Sequence, residues 1–295
     1  MTVAPADLAL VSPAAAERRR GAREYVRRHP TIIVGGSLLG LMVLMAIFAP
    51  YLGTTDPQAL APIQRLHWPS AQHWFGTDML GRDVYSRTVY GARVSLTVGL
   101  SVALLSTASG LAIGLITGFS RWADAILMRV MDGLMSIPPV LIAIALMALT
   151  RASLQNVVFA ITIAEVPRVT RLVRGVVLTL RDLPFVEAAV ASGTSLPRIL
   201  WRHIVPNTVP PLLVQATYTA ASAMLVEAIL SFLGAGTPPN IPSWGNIMAE
   251  GRSLFQVAYY IVLFPGAFLS ATVLAINLLG DGLRDALDPR LARRM

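Results

Sequence analysis

Residues 94–119 run for 26 positions without a charged side chain. As a helix rising 1.5 Å per residue this segment would be about 39 Å long, more than the roughly 30 Å hydrocarbon thickness of a bilayer. A run of that kind has no face for water. Five further stretches share the property: residues 32–49, 133–149 (interrupted by Pro138 and Pro139), 154–164, 209–233 (interrupted by Glu227) and 257–279 (with Pro265 inside). Only 14% of the chain is charged, against about a quarter in soluble domains. The pattern predicts an all-α integral membrane protein with six transmembrane helices.

The divisions follow. Residues 1–30 form a basic tail, 31–50 a first transmembrane helix, and 51–93 a turn-rich extracytoplasmic loop. Residues 94–280 form a five-helix core containing a cytoplasmic loop at 186–207, and 281–295 a C-terminal tail. The first apolar run has 18 uncharged residues, longer than the roughly 7–15 of a signal-peptide core, so it is expected to stay in the protein. Six spans place both termini on one side. If that side is cytoplasmic, eighteen arginines lie inside and six outside. That asymmetry satisfies the positive-inside rule.

Composition removes several chemistries. All 24 basic residues are arginine. Without lysine the chain cannot hold the phosphate-binding loop whose Lys reaches the β/γ-phosphates, nor form a lysine Schiff base. Without cysteine it has no disulfide, thiolate metal site or thiol nucleophile. The four histidines include no i, i+4 pair, so no metal site is expected. The net charge of +8 comes from arginines flanking apolar segments, which points to lipid headgroups rather than nucleic acid.

A few polar residues stand out. Intramembrane ionisable groups are functional candidates. Glu227 is the deepest, open to a cavity-lining role or a structural hydrogen bond, and Asn277 lies near the end of the last span. Asp132 and Glu165 sit near the cytoplasmic boundary, and Arg168, Arg171 and Arg174 recur on one helix face. In the outer loop, Asp78 with Arg82 and Asp83 with Arg87 have i, i+4 spacing, suited to pairing along an interfacial helix or to an extracytoplasmic contact. Residues 231–242 read as a Gly/Pro loop, either a simple turn with Trp244 as an anchor at headgroup depth or a re-entrant gate. Asp281, Asp285, Asp288 and Arg284 read as a solvated helix end.

The segment 186–207, VEAAVASGTSLPRILWRHIVPN, is long for a cytoplasmic connection. Glu187 starts a short helix near its positive end, Gly193 permits a sharp turn, Pro197 suits a second helix's first turn, and Pro206 suits a break before the next span. Glu187-Ala188-Ala189, Gly193 four positions on, and Ile204-Val205-Pro206 resemble the EAA loop of ATP-binding cassette (ABC) importer permeases. Val205 stands where Leu is usual. Residues 73–96, from His73-Trp74-Phe75-Gly76-Thr77-Asp78, and 277–290, from Asn277-Leu278-Leu279-Gly280-Asp281, resemble the C-type transmembrane subunit of the dipeptide/oligopeptide/nickel group.

That resemblance implies a type I ABC importer permease fold and one half of a translocation pathway for dipeptides or oligopeptides. Nickel, glutathione or another small solute are the alternatives. It makes Glu187, Ala188, Ala189, Gly193, Ile204 and Pro206 the loop that couples to a separate ATPase. The implied partners are a homologous second permease, one or two ATP-binding subunits carrying ATP and Mg, an extracytoplasmic substrate-binding protein, and the lipid of a bacterial plasma (inner) membrane. No catalytic residue or cofactor is expected on this chain. A different class, an ion-gradient-driven secondary transporter, would often show internal repeats; the two halves show none.

Overall fold

A computed structural model describes residues 30–287. The expected basic tail up to Arg28 and the last residues from Asp288 lie outside the described residues. Ten α-helices occur among the described residues: α1 (Pro30–Ile47), α2 (Val84–Phe119), α3 (Arg121–Met135), α4 (Pro139–Ala148), α5 (Leu154–Arg181), α6 (Pro184–Ala191), α7 (Leu196–Ile199), α8 (Val205–Phe232), α9 (Trp244–Gly251) and α10 (Tyr260–Leu287).

Among the described residues, four segments are long and apolar enough to cross a membrane: α1, α2, α10 and the stretch Leu196–Phe232. The third expected span is broken. Ser136 to Pro138 separate α3 from α4, which meet at 91° and make a fifth crossing only if taken together. Pro139 has no N–H for the preceding turn, so the helix must restart there. The fourth expected span, α5, has 28 residues and so about 42 Å of length. Its C-terminal half carries Arg168, Arg171, Arg174 and Arg181, which makes it amphipathic rather than uniformly apolar.

The boundaries also shift. The helix expected from residue 94 starts at Val84, because Asp83 caps it: its Oδ2 accepts from Ser86 N and Ser86 Oγ, both at 2.7 Å. The last ten residues of the expected outer loop are therefore helical. The last span runs on to Leu287, so the start of the expected tail is helix as well. No break precedes α8. A π turn at Leu200–Ile204 joins α7 to it, with Val205 N bonded to Leu200 O. Pro206 cannot donate to the carbonyl four residues back, and this wider turn carries the chain past it. Residues 196–232 thus form one rod of 37 residues, about 55 Å long.

Small residues set the packing. The most extensive helix pair is α2 with α5, where Gly110, Gly114 and Gly118 of α2 face Val169, Val173 and Val177 of α5. A Cβ added at Gly110 or Gly114 would lie 2.6 Å from the facing valine. Lipid tails are as apolar as these side chains, so helices associate in a bilayer chiefly through such close van der Waals contact. Gly35 of α1 seats against the α10 backbone in the same way: an added Cβ would lie 2.6 Å from Leu279 N. The outward faces keep Leu100, Leu104, Leu263 and Leu274 exposed.

Candidate functional site

The segment 184–204 folds as a helical hairpin at one end of the bundle. Inside it, Val186, Ile199 and Ile204 are buried against Val169, Val173, Val177 and Leu212. These anchors fix the hairpin to α5 and α8. Across the hairpin, the Phe185 and His203 rings lie 6.0 Å apart.

Gly193 ends α6. Its φ is +72°, a left-handed conformation that costs an L-residue roughly 1–2 kcal/mol. Gly193 N donates to Val190 O at 2.9 Å and Thr194 N to Ala189 O at 3.0 Å. This is the Schellman closure, in which glycine satisfies the last carbonyls of a helix. Among the described residues, its two chain neighbours apart, nothing lies within 4 Å of where a Gly193 Cβ would stand.

The outer face of the hairpin is open. Glu187, Ala188 and Pro206 are exposed, and Ala189 is half-buried. Beside them Val190 is 60% and Trp201 74% exposed, with Phe185 and Leu196 also outward. Of the six residues expected in this loop, five reach the surface at least in part, and Ile204 is an anchor. A cluster of outward apolar side chains on a rigid, inwardly anchored hairpin is a docking surface in form.

At the opposite end of α8, the segment between α1 and α2 is a folded cap. Asp78 and Arg87 are each 1% exposed. Asp78 Oδ2 accepts from Arg82 Nε at 2.7 Å and from Arg87 Nη1 at 2.5 Å, while Oδ1 accepts from the backbone N–H groups of Leu80 and Arg82. Glu250, on α9, completes the cluster: its Oε2 accepts from Arg82 Nη2 at 2.6 Å and Arg87 Nη1 at 2.5 Å, and its Oε1 from Arg87 Nη2 at 3.0 Å.

The Asp78–Arg82 pair forms as expected from spacing, but in a turn rather than on a helix. The Asp83–Arg87 pairing does not form. Asp83 is spent on capping α2 and on His73, whose Nδ1 lies 3.0 Å away, and Arg87 turns to Asp78 and Glu250. Asp78, Arg82, Arg87 and Glu250 pair with one another and tie the cap to α9, with Arg87 Nε alone of the Arg87 nitrogens left without a partner among the described residues. Trp244 is also not at the surface. It is fully buried, with Nε1 donating to Thr88 O at 2.9 Å.

Between the two ends lie the buried acids. Glu227 is 0% exposed. Its Oε1 accepts from Ser231 Oγ at 2.8 Å, Thr237 and Ser243 continue the hydroxyl chain from Ser231, and Oε2 has no partner among the described residues. Glu227 therefore sits in a polar nest formed by α8 and the loop before α9. Asn277 is half-buried on α10. Glu165 accepts from Ser222 Oγ at 2.9 Å. Arg171 pairs with Asp132 at 2.6 Å and Arg174 with Asp124, locking α5 to α3.

Glu250 and the nest of Ser231, Thr237, Ser243 and Asn246 escape sequence reading, because neutral hydroxyls and a lone glutamate carry no spacing signal. The glycine stripe at 110, 114 and 118 does carry one, a small residue at every fourth position.

Residues 110–293 match the family described as binding-protein-dependent transport system inner membrane component, and residues 19–69 the N-terminal TM domain of oligopeptide transport permease C. The chain is 55% identical over 268 residues to a probable peptide ABC transporter permease protein of Sinorhizobium fredii, covering 91% of this chain and 92% of that one. It is 43% identical to the dipeptide transport system permease protein DppC of Alkalihalophilus pseudofirmus, covering 92% and 90%. To the glutathione transport system permease protein GsiD of Pectobacterium atrosepticum it is 40% identical, covering 91% and 90%. A chain of the methionine ABC transporter MetNI, solved in an inward-facing conformation, aligns over 68% of this chain and 96% of its own. The TM-score is 0.56 at 22% identity, a likeness of fold.

Proposed function

The chain belongs to the family of binding-protein-dependent transport system inner membrane components, as a multi-pass permease subunit of an ABC importer, and from that premise we propose that it forms one half of a pathway for dipeptides or oligopeptides. Relatives named for peptide and dipeptide transport support this substrate class. The relative named for glutathione stays within it chemically, because glutathione is a tripeptide. The family match favours this reading over nickel import and over an ion-driven secondary transporter.

In this reading the termini and the 184–204 hairpin face the cytoplasm, as the arginine asymmetry favours. The hairpin docks on an ATP-binding subunit, one of one or two such chains that carry ATP and Mg. A homologous permease supplies the other half of the pathway, and a substrate-binding protein delivers from the opposite side. The observation that carries the proposal is the rod 196–232. It begins inside the hairpin and ends beside the polar nest and the outer cap, so motion imposed at the docking surface reaches the far end of α8 through one continuous helix. Hydrolysis itself belongs to the partner chains.

The test is reconstitution of the importer in proteoliposomes with ATP enclosed and a labelled tripeptide outside. Uptake should require ATP, and Gly193→Trp, which places a bulky side chain on the docking face, should abolish it while the spans stay folded. Uptake by the purified single chain, driven by an ion gradient alone, would contradict the proposal.

A further inference from the structure

At the outer end of the rod a cavity of about 280 Å³ opens between α8, the loop after it and α9. Its size is close to the roughly 300 Å³ at which small-molecule sites begin. Ser231, Thr237 and Asn246 line it, all buried, and Glu250 and Arg252 stand at its edge. The lining is held rigidly. Asn246 Nδ2 lies 2.9 Å from Thr237 Oγ1 and 3.0 Å from Pro238 O, and Ser231 is bonded to Glu227.

Charge decides what this cavity prefers. Both oxygens of Glu250 are occupied by Arg82 and Arg87. Together with Asp78 these groups are two acids against two guanidinium ions, and they cancel. Arg252 is different. Its Nη1 donates to Phe232 O at 3.3 Å, its guanidinium lies 5.6 Å from the Phe232 ring centre, and among the described residues no carboxylate pairs with it. The cavity therefore carries at its edge one exposed cation with no carboxylate partner among the described residues, above hydroxyl and amide groups, and the buried Glu227 lies behind Ser231 rather than in the lining. A guanidinium presents paired donors that match a carboxylate in two-pronged geometry.

We propose that this cavity receives the C-terminal carboxylate of an arriving peptide and that Arg252 recognises it, so that the permease itself favours free acids over amides. The inference rests on the peptide reading above. It is tested with the complete importer in proteoliposomes, ATP inside, and trialanine or trialanine amide each delivered preloaded on the binding protein. The wild type should import the free acid faster. Arg252→Gln should reduce that preference about tenfold, the scale of one charge-assisted hydrogen bond, and Arg252→Lys should retain most of it. Equal slowing of both peptides by Arg252→Gln would mean that Arg252 touches the binding protein or supports folding, and would overturn the assignment, as would an unchanged preference. Import of neither peptide by the wild type would instead remove the peptide reading on which the assignment stands.

Discussion

Asp78 shows how one residue's role depends on partners far away in sequence. Its pairing with Arg82 is legible from i, i+4 spacing. Its bond to Arg87 is not, because Arg87 looks equally well placed for Asp83 until Asp83 is used as a helix cap. Glu250 is farther still, 163 positions from Arg87. Removing one partner of a buried pair leaves the other charge uncompensated, typically at a cost of about 3–5 kcal/mol. Asp78→Ala should therefore lower the thermal midpoint in detergent and the amount of protein in membranes. Glu250→Gln should do so less, since Glu250 is 29% exposed and water can replace part of what is lost. Equal effects of the two substitutions would argue against the buried cluster as the anchor of the cap. At Gly193 the sequence suggests a turn, and the structure supplies the reason in a φ of +72°. Gly193→Ala should cost about 1–2 kcal/mol locally, weakening transport while leaving the melting of the spans nearly unchanged.

Among the elements, hydrophobic runs place α1, α8 and the starts of α5 and α10 within a few residues, because the bilayer requirement acts on length and polarity alone. The same criterion fails at the pair α3 and α4. There it sees apolar content but not the 91° bend, which depends on where the freed backbone groups near Pro138 and Pro139 find room. It is also blind to which faces meet. The contact of α2 with α5 is written in Gly110, Gly114 and Gly118, each opposed by a valine. Gly114→Leu should push the two helices apart and lower the thermal midpoint, and Val173→Ala in that background should recover part of the loss. A non-additive double-mutant cycle would confirm that these two positions touch; strict additivity would contradict the packing.

For the whole molecule, the membrane class and the helical hairpin are legible early, the first from composition and the second from the helix and turn signals between Glu187 and Pro206. What sequence does not reveal is that Pro206 leaves the helix unbroken, so that hairpin and span form one rod. The chain lacks cysteine, so single cysteines report topology without background. Ile63→Cys in the cap should react with an impermeant thiol reagent applied to intact cells, and Val190→Cys on the hairpin only after the cells are opened. The reverse pattern would invert the proposed orientation. The most direct test of coupling uses the same Val190→Cys protein in its native membranes, with a short thiol-to-amine cross-linker and mass spectrometry of what is captured. Coupling through the hairpin predicts an ATP-binding subunit joined at position 190 and absent when the cysteine is at position 63. Capture of no ATP-binding subunit, or equal capture from both positions, would contradict it.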